Sequence, residues 1–271
     1  MIDAYHLYLN SSEAIVRRQT GWGPWRRLED VARWEWNADL ASSFDLEPLV
    51  LRRHRHATLT VYMGSALGKF MVLDLPAGLR SDDEARAAAQ AQMQHQLGLQ
   101  PGQWTFSVDR LPGANQAIAC ALRADVFARI GHVARTRGMR LLSLRPFAAS
   151  SWNALQTPHK APAAATEEAQ ALMLVEKDAF AIVIEKAGAI VSVNALSHRR
   201  ESTLIDREIR RMAYAVGEDT QRHIRLALVP ELLPLAQLHT DKVLQPDAYL
   251  RQPIYSDFRD LLFLPLPQVA A

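Results

Sequence analysis

Cysteine is nearly absent: Cys120 is the single one among 271 residues. That excludes an intramolecular disulfide and a cysteine-rich metal site. Its setting, the alternating stretch QAIACALR, predicts a buried and inert thiol. Charge of one sign is also scarce, because 31 basic residues against 29 acidic ones leave a net charge of +2. Nothing in that balance marks a partner such as nucleic acid or an anionic membrane. Long apolar runs are missing too. LLFLPLPQVAA, near the C-terminus, is too short and too broken by proline to span a bilayer. MIDAYHLYLNSS has neither the basic region nor the apolar core of a secretory signal. The expectation is a soluble, cytoplasmic chain that reaches a membrane only through a partner, without inserting directly.

What is present is ordinary globular composition, 49% hydrophobic and 22% charged, with enough length for two modest cores. AYHLYLNSSEAIVRR has the pattern of a hairpin: Tyr5, Leu7 and Leu9 alternate with Ala4, His6 and Tyr8, Asn10-Ser11-Ser12 turns, and Ala14-Ile15-Val16 returns. A Trp-rich stretch follows, with turn chemistry at Gly21 to Pro24 and a short helix expected near Asp39 to Phe44. Trp22, Trp25, Trp34 and Trp36 suit a binding surface and core packing equally. ATLTVYMG and KFMVLDLP read as strands joined by a turn at Ser65 to Gly68. Ser81 caps a helix whose first turn holds Asp82, Asp83 and Glu84, and which stops near Gly98. WTFSVDRL and QAIACALR form a second hairpin around Pro112 to Asn115. In DVFARIGHVARTRG, Val126, Phe127, Ile130, Val133 and Ala134 are assigned to one helical face, with Gly138 as the stop. MRLLSLRP is a strand and FAASSWNAL a helix.

Gln156 to Ala169 is rich in Pro and Ala and has no apolar period, which marks a linker. Beyond it ALMLVEK, AFAIVIEK and AIVSVNAL read as a three-stranded meander. A helix from Thr203 to Val216 and the strand HIRLALV come next. Each half therefore opens on strands with tight turns and goes on to helix and strand. The symmetry is one of topology and not of residue identity.

Candidate chemistry is thin. GSALGK, from Gly64 to Lys69, has three residues between its glycines where a phosphate loop has four, and Phe70 follows the lysine where Ser or Thr is needed. A turn between strands is the better reading. His54 and His56 stand two apart among arginines, with no third ligand nearby, so a solvated basic edge is favoured over a metal site. Asp82 to Glu84 serve the helix dipole, and Glu167-Glu168 are linker acids. No Ser-His-Asp or Cys-His set can be assembled from linear spacing. No catalytic residue and no metal ligand is assigned.

Val50 to Leu155 resembles the first domain of the actin-like PilM and GspL families of type IV pilus and type II secretion machines. The resemblance is carried by TVYMGSALGKFMVLDLP, by the helix ending in QMQHQLGL, and by WTFSVDRLPGANQAIACALRADVFARIGHVARTRGMRLLSLRPFAASSWNAL. It implies an α/β, actin-like (ribonuclease H-like), two-lobed fold with mixed sheets flanked by helices. The implied lobes are 1–156, with an inserted hairpin subdomain at approximately 70–122, then a linker at 157–169 and a reduced lobe at 170–271. PilM-like proteins carry an Asp-X-Gly-Ser-Ser cradle followed by lysine. Laid on this chain, the aspartate becomes Tyr8, the glycine Asn10, the serines remain Ser11 and Ser12, and the lysine falls near Ile15. The second cradle falls on Leu174 and Glu176, and the glycine-rich adenosine turn on Pro230-Glu231.

Together these replacements remove the magnesium-handling carboxylates, the glycines that let N–H groups reach phosphate, and the turn that admits the base. The implied protein is a scaffold without cofactor, not an enzyme. It would bind the cytoplasmic N-terminal tail of a PilN-like inner-membrane protein, with an assembly ATPase as a further partner and no nucleic acid. Its implied place is cytoplasmic, peripheral to the inner membrane. Arg110 and Arg123 are the partner-binding candidates, beside the helix from Asp82 to Leu97. The alternative is a divergent actin-like ATPase or sugar-kinase-like enzyme.

Overall fold

The structure is a computed structural model that describes residues 4–20, 27–39, 44–46, 57–110, 115–155, 170–186, 189–197, 207, 211 and 224–228. The linker stretch, His54, His56, Trp22, Trp25 and Pro230-Glu231 lie outside the described residues, as does most of the segment expected to be helical between Asp39 and Phe44. Of the helix expected from Thr203 to Val216, only Arg207 and Arg211 are described, and both are helical.

The chain opens as the alternating pattern predicts. β1 (Ala4–Leu9) and β2 (Glu13–Thr20) pair antiparallel, with Leu7 opposite Val16. β3 (Arg27–Glu35) adds to β2, a strand the sequence pattern missed. Its outward positions carry charge, and Arg17–Asp30 at 2.6 Å and Arg18–Glu29 at 2.5 Å tie it to β2. β4 (Ala57–Met63) then runs parallel to β1, and β8 (Met139–Pro146) parallel to β4. The sheet order is β3-β2-β1-β4-β8. One row crosses all five strands: Ala32, Val16, Leu7, Val61 and Leu144. With side chains alternating at period two, such a row assigns a whole face to the core.

Between β4 and β8 the chain builds a second, smaller layer. A single 3-10 turn (Ser65–Leu67) leads out of β4 into β5 (Gly68–Asp74), which joins a separate sheet. That sheet is antiparallel, ordered β5-β7-β6, with β6 at Trp104–Arg110 and β7 at Gln116–Arg123. α1 (Asp82–Leu97) covers one face. Ser81 Oγ accepts the Glu84 N–H at 3.2 Å, and Gly98, at φ 64°, closes the far end in the left-handed region. Ala85, Ala89 and Met93 of the helix meet Ala117, Ala119 and Ala121 of β7, so helix and sheet approach closely. Cys120 and Leu122 point the other way, into the main core with Phe70. Burial pushes the Cys120 thiol up to about 12, in keeping with an inert side chain.

α2 (Ala124–Thr136) buries Val126, Ile130, Val133 and Ala134. Phe127 is 39% exposed, contrary to the face assigned from the sequence. Buried residues at i, i+4, i+7 and i+8 define the stripe, and the position after Val126 is rotated off it. α3 (Phe147–Leu155) follows β8 and places Phe147 edge-on to Tyr8, with ring centroids 4.9 Å apart.

After the linker, β9 (Gln170–Val175), β10 (Ala179–Lys186), β11 (Ala189–Ser197) and β12 (Ile224–Leu228) form the sheet β11-β10-β9-β12. Two antiparallel pairings and one parallel return repeat the course of β3-β2-β1-β4. Six consecutive residues of β10, Ala179 to Ile184, are buried, as expected for a strand covered on both faces. β11 lies against β5, so the smaller layer touches both large sheets. Among the described residues no helix is long and apolar enough to cross a membrane.

Candidate functional site

The two large sheets present matching turns to each other. Asn10 N–H donates to Glu13 O at 3.0 Å, and Glu176 N–H donates to Ala179 O at 2.8 Å. Both are four-residue turns closing the first hairpin of their sheets, so Asn10 corresponds to Glu176 and Tyr8 to Leu174. The positions that the resemblance paired as two phosphate elements are thus equivalent in the fold, and their turns face one another across the cleft between the lobes.

Three successive N–H groups line the first turn, and protein oxygens accept all three. The Asn10 Oδ1 atom takes Ser12 N–H at 2.9 Å and Glu13 N–H at 2.7 Å. Asp178, from the facing turn, takes Ser11 N–H at 2.8 Å and also accepts from Ser11 Oγ. A row of N–H groups in a tight turn is an anion cradle. Here the anion is a carboxylate of the chain itself. Asn10 is buried, and Trp36 seals the turn from outside by donating its indole N–H to Asn10 O at 2.8 Å.

Glu176 lies deeper and is fully buried. Tyr8 Oη donates to its Oε2, and Ser65 N–H donates to its Oε1 at 2.9 Å. Burial raises its carboxyl to about 7, while the bonds from Ser65 and Tyr8 pull the other way and the charge of Asp178 adds to the rise. Gly64 lets this happen: a Cβ there would stand 2.7 Å from Glu176 Oε2 and 3.1 Å from Asn10 Cα. The glycine that looked like half of a failed phosphate loop is required by close approach. Leu174 is buried beneath the turn.

At the cleft's edge Glu13, itself buried, accepts from Arg33 Nη2 at 2.5 Å and Nε at 3.0 Å, with Lys177 Nζ 3.7 Å away. An open depression of about 540 Å3 adjoins it, lined by Ser11, Ser12, Glu35, Trp36, Asn37, Ala38, Asp39 and Lys177. Two carboxylates against one ammonium make this lining unfavourable to a polyphosphate. No group of three or more His, Cys, Asp or Glu that would hold a metal ion occurs among the described residues.

The sequence picked out Tyr8, Asn10, Ser11, Ser12, Leu174 and Glu176, and all of them sit at or under this junction. It read Gly64 and Ser65 only as part of a turn between strands, and it missed Lys177 and Asp178, whose turn chemistry (EKDA between two apolar runs) was the available signal. Arg110 and Arg123 lie elsewhere, on the smaller layer. Arg123 holds Asp125 at 2.5 Å and stands 3.6 Å from Asp39; Arg110 stands 3.8 Å from Asp82. Of the tryptophans, Trp34 stacks on Phe44 at 6.3 Å and Trp36 meets the same ring edge-on at 5.4 Å, which makes both of them packing residues.

No protein-family model matches the chain. No curated protein matches it either. Solved structures do. A Bacteroides thetaiotaomicron protein with actin-like ATPase fold and unknown function superposes with a TM-score of 0.59 at 11% identity, over 90% of this chain and 89% of that one. The PilM-PilN type IV pilus biogenesis complex gives a TM-score of 0.57 at 14% identity, over 91% and 89%. The cytoplasmic domain of EpsL, an inner membrane component of the type II secretion system of Vibrio cholerae, gives 0.50 at 10%, over 83% and 82%. The chain has the actin-like fold.

Proposed function

We propose that the chain is a non-enzymatic scaffold on the cytoplasmic side of a type IV pilus or type II secretion assembly, holding the cytoplasmic tail of an inner-membrane protein. Its likeness to a PilM-PilN complex and to the EpsL cytoplasmic domain supports the setting. One observation carries the non-enzymatic part. The turn that would cradle a phosphate already spends its three N–H groups on Asn10 and Asp178. A nucleotide would have to displace Asp178, break the Asx turn of Asn10 and meet Glu176 where magnesium-bound phosphate needs room. Partner capture falls to the smaller layer, where a strand edge and helix α1 offer backbone pairing and side-chain pockets to an extended peptide.

Calorimetry with Mg-ATP at about millimolar concentration tests the first part and its enzymatic rival together; no heat above dilution is expected, since a cradle with satisfied donors gains little from exchanging partners. A dissociation constant in the micromolar range reverses the reading in favour of a divergent ATPase. Co-purification from cell envelopes tests the second part, the expected companion being an inner-membrane protein with a short cytoplasmic tail.

A further inference from the structure

The Asp178 carboxylate does more than fill space, because it joins two lobes whose turns are 167 positions apart in sequence. It receives both the N–H and the hydroxyl of Ser11, a charge-assisted pair. Its Oδ1 atom is buried and has no hydrogen-bond partner among the described residues, so the carboxylate is committed to the first lobe through Oδ2 alone. A buried carboxylate oxygen left unpaired is costly, and it is tolerated where another demand places the group. That demand here is the cradle. The neighbouring amides of Ser12 and Glu13 are satisfied within the first lobe by Asn10, so of these three amides it is that of Ser11 that depends on the other lobe.

We propose that Asp178 is a tethered anion that occupies the oxyanion site of the Asn10–Glu13 turn and latches the lobes shut, so that lobe opening exposes a cradle selective for carboxylate or phosphate. A diffusible ligand is replaced by a side chain, and the closed state becomes the resting state of the chain. The proposal goes beyond the scaffold reading: it adds a latch to the contacts that Glu176 makes with Tyr8 and Ser65, whichever tail the scaffold captures.

Amide hydrogen exchange on the full chain reads the latch directly. In Asp178→Ala the Ser11 amide is expected to exchange at least about tenfold faster, while the Ser12 and Glu13 amides, held by Asn10, change much less. Adding acetate at about 0.1 M should slow Ser11 again, and chloride at equal ionic strength should not. A second readout follows the lobes. Spin labels at Val31→Cys and Val191→Cys, both exposed positions on different sheets, should show a broader, longer distance distribution in the Asp178→Ala background. Buried Cys120 stays unlabelled. Asp178→Asn keeps the shape and an acceptor and serves if the alanine variant folds poorly; it should fall between wild type and alanine in both readouts. Unchanged Ser11 exchange in both variants overturns the proposal. Equal rescue by acetate and chloride overturns the oxyanion site, and an unchanged label distance overturns the latch. Phosphate in place of acetate distinguishes the two anion chemistries: stronger rescue by phosphate assigns the cradle to phosphate, stronger rescue by acetate to carboxylate. The calorimetric ATP result is independent of all these arms.

Discussion

Tyr8 in the first lobe donates its phenolic hydrogen to the buried carboxyl of Glu176 in the second, across 168 positions of sequence. In a fold whose two lobes can flank a ligand, this pair puts an aromatic side chain and an acid where the lobes meet. The consequences for stability follow from the acid.

Glu176 has a folded-state pKa of about 7 against an ordinary 4.5. The folded chain therefore binds a proton more tightly than the unfolded one. Its contribution is fully present below the unfolded value and is lost as pH rises through about 7, a swing on the order of 3 kcal/mol at most. Glu176→Gln keeps an acceptor for Ser65 N–H and removes the titration. Denaturant midpoints at pH 5 and pH 8 should show the variant close to wild type in acid and more stable than wild type in base. Parallel pH profiles for the two proteins would show that burial does not hold the proton on Glu176.

Gly64 and Gly131 should respond oppositely to alanine. A Cβ at Gly64 collides with Glu176 and Asn10, so Gly64→Ala should destabilise by about 1–3 kcal/mol. Gly131 sits inside α2 with nothing within 4 Å of a new Cβ. Gly131→Ala should therefore stabilise by about 0.5–1 kcal/mol through helix propensity and a less free unfolded chain. Thermal melts of the two single variants check both signs.

Asn10→Ala removes the acceptor for one buried and one half-buried N–H group at once and should cost about 2–4 kcal/mol. Asn10→Asp keeps that acceptor and should recover most of the loss. If alanine is harmless, the turn is held by its strands and not by the Asx bond.

Tyr8→Asp combined with Asn10→Gly gives the first hairpin the residue types that the resemblance assigns to a nucleotide-binding one. It should not hydrolyse ATP, because Glu176 and Asp178 still occupy the facing turn. Phosphate release above the wild-type background in this double variant would show that Glu176 and Asp178 in the facing turn do not bar hydrolysis.

Arg110 is exposed and its contact with Asp82 is long, so it adds little to stability. On the scaffold reading proposed above, Arg110→Glu, alone and with Gln96→Lys on the outer side of α1, should weaken capture of an inner-membrane protein's tail about tenfold or more, with the melting temperature unchanged. Normal capture by both variants would move the groove away from the β6 and α1 layer.

Much of the architecture could be read from local pattern. Period-two alternation marked β1, β2, β6 and β7, and Ser81 with Gly98 bounded α1 through cap chemistry. β3 escaped because an edge strand with charge on its open positions has no apolar alternation to announce it. Phe127 was misplaced because a helical stripe is narrow, and one position of rotation separates core from solvent. The resemblance pointed to Tyr8, Asn10, Leu174 and Glu176, which stand at or beside the two facing turns, yet gave none of their contacts.

The sequence alone determined the hairpins, the capped helix and the absence of glycine from the Asn10 and Glu176 turns. All of these depend on neighbours within a few residues, where periodicity and capping leave a trace. Only the tertiary structure decided that Asp178 fills the cradle at Ser11, that Tyr8 and Ser65 enclose Glu176, and that Gly64 must lack a Cβ. Those contacts join turns more than a hundred residues apart, and a side chain's neighbours across such a gap are fixed by how the sheets pack, which no local pattern encodes.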